Sequence, residues 1–234
     1  MEQITTLLSG SLYFGLVLSL LVYIGAVALN RRLNWAITTP LLTTTIGIIA
    51  LLLIFNIPHE TYFHGARYLL YFLVPATVCF AVPMYKQMSQ LGRYKWAVLI
   101  SIIVGCAASV GSVALWSYAF GLEDVLRNSM VAVSVTTAIA IGITEELGGI
   151  VGIIVFVVII TGILGNAIGR QACEFFRFRN PISEGLAIGN SSHAMGTVKA
   201  LEMGEKQGAA SSLAIVISGV ATAILAPIIL WLFS

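Results

Sequence analysis

The sequence predicts an all-α, polytopic membrane protein, and three observations carry that prediction. Of the 234 residues, 59% are hydrophobic and only 9% charged, against about 25% charged in a soluble domain, so the chain cannot cover a water-facing surface. Its mean hydropathy is +0.98. Its apolar residues are gathered into runs of the length, about 20 residues, that a helix needs to cross a bilayer.

Taken in order, five runs qualify directly, at about 7–29, 36–57, 96–120, 147–169 and 209–233. A sixth, at about 68–85, is interrupted by Pro75 and Pro83, breaks that membrane helices tolerate when neighbours satisfy the freed backbone groups. This gives about six spanning helices in one integral membrane domain, 1–234. The first run lacks the basic n-region of a signal peptide and ends at Asn30-Arg31-Arg32, so it is expected to stay as a membrane helix.

Two stretches remain, 125–146 and 182–204, apolar on average but crowded with Ser, Thr and Gly. The positive-inside rule helps to interpret them. Arg31 and Arg32 follow the first helix, Lys86, Arg93 and Lys95 the third, and Arg170, Arg177 and Arg179 the run at 147–169. If all three basic loops are cytoplasmic, 125–146 must enter and leave on one side, as a re-entrant hairpin. The count is less decisive for 182–204, but a second hairpin entering from the cytoplasm gives the inverted repeats with broken helices of secondary transporters.

Net charge is +2 and the basic residues are dispersed over short loops, which excludes a nucleic-acid partner. Cys79, Cys106 and Cys173 are isolated and form no CxxC, so no disulfide framework, metal site or cofactor is expected. The lipid bilayer is the evident surrounding.

The chemistry lies in the two polar stretches. "SMVAVSVTTAIAIGITEELGG" holds Ser134, Thr136 and Thr137 within four positions, then Glu145, Glu146, Gly148 and Gly149. The ordinary reading of such hydroxyls is back-bonding to helix carbonyls and packing as small residues; the other is a ligand site. "GNSSHAMGTVKA" holds Asn190, Ser191, Ser192, His193, Gly196 and Thr197. On a helix His193 and Thr197 share a face, and Ser192 and Gly196 the adjacent one. Asn190 and Ser191 stand where a half-helix would have its N-cap, aiming its N–H groups and positive dipole end into the membrane, a geometry suited to carboxylates. A lone core histidine is commonly structural, but an intramembrane ionisable group is costly enough to suggest function. A serine beside its own base is poor geometry for nucleophile activation, which argues against an enzyme. "GILGNAIG" reads as the packing spacing Gly165-xxx-Gly169, since no βαβ unit surrounds its glycines.

With these residues in view, "VPATVCFAVPMYKQ", "SVTTAIAI" followed by "ELGGI", "TGILGNAIG" and "GLAIGNSSHAMGT" resemble the successive motifs of the LrgB/CidB family, in order from about residue 70 to the C-terminus. The resemblance implies a bacterial cytoplasmic (inner) membrane protein, commonly encoded beside a small holin-like partner and described as an antiholin-like regulator of murein hydrolase activity and lysis. It also implies a carrier of small 2-hydroxy or 2-oxo acids, since the plant plastid member transports glycolate and glycerate. The matching positions are Pro75, Ala76, Pro83, Ser134, Thr136, Thr137, Gly148, Gly149, Gly189, His193, Gly196 and Thr197. The chain departs from the family's Pro-Lys-Ser-Val-Thr-Thr-Pro at Ala132, Val133 and Ala138, losing a lysine that would pair with a carboxylate and two prolines that would break the first hairpin. His193 or Lys199 would then supply the positive charge.

The expected function is secondary transport of small monocarboxylates (glycolate, glycerate, lactate or pyruvate) between the two hairpins. Its site would comprise Ser134, Thr136, Thr137, Asn190, Ser191, Ser192, His193, Gly196 and Thr197. The alternative is a non-transporting antiholin-like regulator acting with a holin-like partner. A homo-oligomer, most simply a homodimer, is expected in either case.

Overall fold

The computed structural model describes residues 13–33, 39–72, 75, 78, 79 and 81–232. These contain helices and turns and no strand. Four helices among them are long and apolar enough to cross a membrane: Phe14–Leu33, Lys95–Ala119, Val151–Phe175 and Glu205–Trp231. The chain is thus an all-α, multi-pass membrane protein. The run expected at 36–57 is the shorter helix Pro40–Ile54. In the run expected at 68–85, Leu73, Val74, Ala76, Thr77 and Phe80 lie outside the described residues. The described part of that run contains the 3-10 segment Arg67–Phe72 and the short helix Ala81–Lys86.

The chain divides into two compact units, residues 1–79 and 80–234. The first contains α1 (Phe14–Leu33), α2 (Pro40–Ile54) and α3 (His59–Ala66), with the 3-10 segment after α3. Pro40 opens α2 at its first position, where the missing N–H costs nothing. Gly15 lets α3 approach α1 closely, since a Cβ there would collide with the Tyr62 carbonyl. Beside it, Ser19 Oγ donates to the Gly15 carbonyl at 2.7 Å and lies 2.9 Å from the Tyr62 hydroxyl.

The second unit contains α4 (Ala81–Lys86), α5 (Met88–Arg93), α6 (Lys95–Ala119), α7 (Asp124–Met130), α8 (Thr137–Glu146), α9 (Val151–Phe175), α10 (Pro181–Met203) and α11 (Glu205–Trp231). Helices α7 and α8 are the arms of a re-entrant hairpin. After the non-helical stretch 131–136, the chain returns to its earlier depth: Asn128 Nδ2 donates to the Leu147 carbonyl at 2.8 Å, and the Ile150 N–H to Ser129 Oγ at 2.7 Å. The hairpin breaks although Ala132 and Ala138 replace the family's prolines. Thr136 holds an extended conformation (φ −63°, ψ 149°) at the start of α8.

Helix α10 is also a hairpin. Its backbone leaves the helical region at Ser192 (φ −134°, ψ 16°) and His193 (φ 44°, ψ −138°), separating the arms 181–191 and 194–203. The contacts with α11 establish that the chain reverses there. Gly185 faces Gln207 and Gly189 faces Ser211, a parallel register; Thr197 meets Ser211 and Leu201 meets Gly208, an antiparallel one. Gln207 Nε2 also donates to Glu184 Oε2 at 2.9 Å, so the start of α10 lies level with the residues just after its end. The stretch 182–204 therefore re-enters.

Helix α9 joins the two hairpins. Ile154 and Val158, in its first half, belong to one apolar cluster with Val131, Ala132, Val135, Ala140 and Ile143 of the first hairpin. Its second half carries the other hairpin, with Gly162 under His193, Gly165 under Ser192 and Gly169 beside Ile188. The hairpins thus approach from opposite ends of α9, the first packing with Ile154 and Val158 and the second on Gly162, Gly165 and Gly169.

This packing makes a prediction. A Cβ on Gly189 would come within 2.5 Å of the Ser211 carbonyl, whereas one on Gly111, inside α6, meets nothing within 4 Å. Gly189→Ala is expected to cost about 1–3 kcal/mol by overpacking. Gly111→Ala should be neutral or stabilising by up to about 1 kcal/mol. Thermal unfolding of the detergent-purified variants measures both, and equal melting temperatures would contradict the close approach of α10 to α11.

Candidate functional site

The site is built from two helix breaks within the membrane unit. At the first tip, Val131, Ala132, Ser134 and Val135 are buried while Thr136 and Thr137 are half-buried. Ser134 Oγ is enclosed without a hydrogen-bond partner. No side chain caps α8, so its first-turn N–H groups face the tip with the positive end of the helix dipole.

At the second tip, His193 is 3% exposed and its Nε2 lies 3.0 Å from the Val158 carbonyl. A carbonyl only accepts, so Nε2 carries the hydrogen. Val158 also belongs to the apolar cluster that contains Val131, Ala132 and Val135 of the first tip, so the carbonyl that anchors His193 comes from a residue of that cluster. The positive φ of His193, disfavoured for a residue with a Cβ, is held by that bond and by the fit of the ring on Gly162.

The structure brings the expected site residues together only in part. The break falls at Ser192–His193, two residues later than an N-cap at Asn190 or Ser191 requires, so both end the inward arm. Asn190 turns to α6, where Oδ1 accepts from Cys106 Sγ at 3.1 Å. Ser191 Oγ donates to the Ile188 carbonyl at 3.3 Å and lies 3.1 Å from Ser192 Oγ. Gly196 faces inward between the arms, against Ser192 and Ile188. Thr197 Oγ1 donates to the His193 carbonyl at 2.9 Å and meets Ser211 Oγ at 2.7 Å. His193 and Thr197, expected on one face, therefore hold opposite neighbours, α9 and α11. Lys199 pairs with Glu202 at 3.0 Å, far along the outward arm. Val133, where the family has lysine, is half-buried at the first tip.

Three residues escaped the sequence reading. Asn166, in the stretch read for its glycines, is buried and donates from Nδ2 to the Met195 carbonyl at 3.1 Å, tying the outward arm to α9. Ser211 joins α11 to the second hairpin. Arg127 is 5% exposed on α7; it bridges Asp124 at 2.8 Å and leaves Nε without a partner. Its acid three residues earlier was the available signal.

A groove of about 420 Å³ runs along α9 from Thr161 past Leu164 and Ile168 to Phe176, with Ala187, Ile188, Ser191 and Ser192 on its other wall. It links the level of the second tip to the end where that hairpin enters.

Replacing Asn166 with Leu is expected to strand the Met195 carbonyl at a cost of about 1–3 kcal/mol. Amide hydrogen exchange should accelerate selectively in 194–203, and unchanged exchange there would show that the bond does not hold the arm.

Residues 19–232 match the model of the LrgB-like family. The chain is 38% identical over 216 residues to the antiholin-like protein LrgB of Bacillus mycoides (strain KBAB4), covering 92% of this chain and 94% of the relative. The same identity and coverage hold for the antiholin-like proteins LrgB of Bacillus cereus (strain B4264) and Bacillus anthracis (strain CDC 684 / NRRL 3495). No solved structure matches. The chain belongs to the LrgB-like family of multi-pass membrane proteins.

Proposed function

We propose that this chain is an antiholin-like membrane protein whose fold houses a carrier site for small monocarboxylates. The first half of the reading is supported by the names of the relatives, which are antiholin-like proteins at 38% identity over nearly their whole length. On this reading the chain works with a small holin-like membrane protein, and as a homo-oligomer.

One observation carries the second half: two re-entrant hairpins approach from opposite ends of α9, the first clustering with Ile154 and Val158 and the second anchored by His193 on the Val158 carbonyl. Each outward arm, 137–146 and 194–203, begins at its tip, so both positive dipole ends are directed at membrane mid-depth, where a carboxylate is stabilised. Ser134, Thr136 and Thr137 offer hydroxyls at one tip, and Ser191, Ser192 and His193 border the other. On this reading Asn190 and Thr197 set the hairpin on α6 and α11, and Gly196 lets its two arms pack on each other. With no lysine at Val133, the dipoles and His193 supply the positive potential. Proton uptake by His193 as the anion binds would couple transport to pH.

The test is thermal stabilisation of the purified protein by glycolate, lactate and pyruvate. A ligand at one hundred times its Kd stabilises the folded state by about 2.7 kcal/mol. A shift is expected with at least one of the acids, smaller in Ser134→Ala. In reconstituted vesicles His193→Gln, which keeps a donor for Val158, is expected to transport without pH dependence. If no carboxylate shifts a well-folded protein, the carrier site is wrong and the antiholin-like role stands by itself, to be tested by co-purification with a holin-like protein.

A further inference from the structure

We infer that the groove along α9 is a binding site for an anionic phospholipid, with an acyl chain in the groove and the phosphate held by Arg177 and Arg179. The groove's inner end reaches Ser191 and Ser192, which border the carrier site, but the inference does not depend on that site binding a carboxylate. It rests on the composition of the groove walls, its depth and two arginines, Arg177 and Arg179, that adjoin its lining phenylalanines Phe176 and Phe178 in the chain.

The walls are apolar. Leu164 and Ile168 are about half exposed on the outer side of α9, and Ala172, Ala187 and Ile188 close the groove behind them. The hydroxyls at the inner end are engaged within the protein: Thr161 Oγ1 donates to the Val157 carbonyl at 2.9 Å, and Ser191 is held by Ile188 and Ser192. A hydrated anion would find little to replace its water here, whereas a hydrocarbon chain would lose none. From Thr161 to Phe176 the helix rises about 22 Å, at 1.5 Å per residue. That is enough for one leaflet, half of the ~30 Å hydrocarbon core plus its headgroup region.

The mouth has the complementary chemistry. Phe176 and Phe178 line it, and their rings lie 6.5 Å apart. Between them Arg177 adopts φ 56°, the left-handed conformation that closes a helix and that glycine normally supplies. An arginine there accepts backbone strain while placing a guanidinium between the two rings in sequence. Arg170 is answered by Glu174 at 3.1 Å, but among the described residues neither Arg177 nor Arg179 is in an ion pair. Basic residues beside an interhelical groove on the cytoplasmic side are the chemistry that recognises anionic headgroups.

The experiment compares phosphatidylglycerol with phosphatidylcholine bound to the full chain in detergent, read by native mass spectrometry and by melting temperature. Phosphatidylglycerol is expected to be retained and to raise the melting temperature, phosphatidylcholine much less. Arg177→Ala with Arg179→Ala should weaken phosphatidylglycerol at least fivefold. Gly169→Leu fills the groove; because a Cβ there meets Ile188 at an ordinary 3.5 Å, the variant is expected to fold and to retain neither lipid. Ile168→Trp, at a half-exposed position, blocks the groove independently should Gly169→Leu fail to fold. Equal binding of the two lipids, or phosphatidylglycerol binding untouched by both groove-filling variants, would overturn the proposal. So would a groove-filling variant that alters the oligomeric mass and leaves lipid binding unchanged, since the occupant would then be a second copy of the chain.

Discussion

A bilayer holds no water to satisfy a broken backbone, and the membrane unit is organised around that constraint. A chain that leaves the helix within the hydrocarbon must bury the break in protein or line a cavity with it. Among the described residues of the second unit the chain breaks in this way at 131–136 and at 192–193, and both breaks are sheltered against α9. Gly162 and Gly165 follow directly: they let His193 and Ser192 approach the helix more closely than any side chain would allow. The small residues at the start of α11, Gly208 to Ser212, do the same on the opposite side of the second hairpin.

The same constraint accounts for the placement of the polar side chains. Several of them in the second hairpin fasten it down. His193 reaches the Val158 carbonyl, Thr197 joins Ser211, Asn190 meets Cys106, and Asn166 returns from α9 to Met195. In hydrocarbon such groups must find partners within the protein. The first hairpin is finished differently. Its tip is packed by valine and alanine, Ser134 has no partner, and α8 is uncapped by any side chain. That imbalance separates a scaffold made of hydrogen bonds from a tip with unused hydrogen-bonding capacity, and the unused capacity is what suggests a ligand.

Much of this was legible in the sequence. Composition and run length gave the membrane helices, and the parity of the basic loops required the first hairpin, although the prolines that would announce its break are absent. The second hairpin was harder, because 181–203 contains no proline after its first residue and reads as one apolar helix. Glycines 185, 189, 196 and 204 mark where its arms touch their neighbours, but spacing cannot tell a reversal from a continuous helix. A break at Asn190 would leave His193 helical and on one face with Thr197; the break includes His193 itself (φ 44°, ψ −138°), which turns its ring to α9 instead. Asn166 acts through a partner distant in the sequence, the Met195 carbonyl, which no local pattern shows, whereas Arg127 had a local sign in Asp124 but none of its burial.

The measurement that bears most directly on this account is sided thiol labelling in a cysteine-free background. An impermeant reagent would be added to intact or inverted vesicles carrying single cysteines at Glu123, Gly148, Arg179 or Glu205. The opposed-hairpin architecture predicts that Glu123→Cys and Gly148→Cys react from one face, and Arg179→Cys and Glu205→Cys from the other. Labelling of positions 123 and 148 from opposite faces, or of 179 and 205 from opposite faces, would show that a hairpin spans the membrane and would contradict the account.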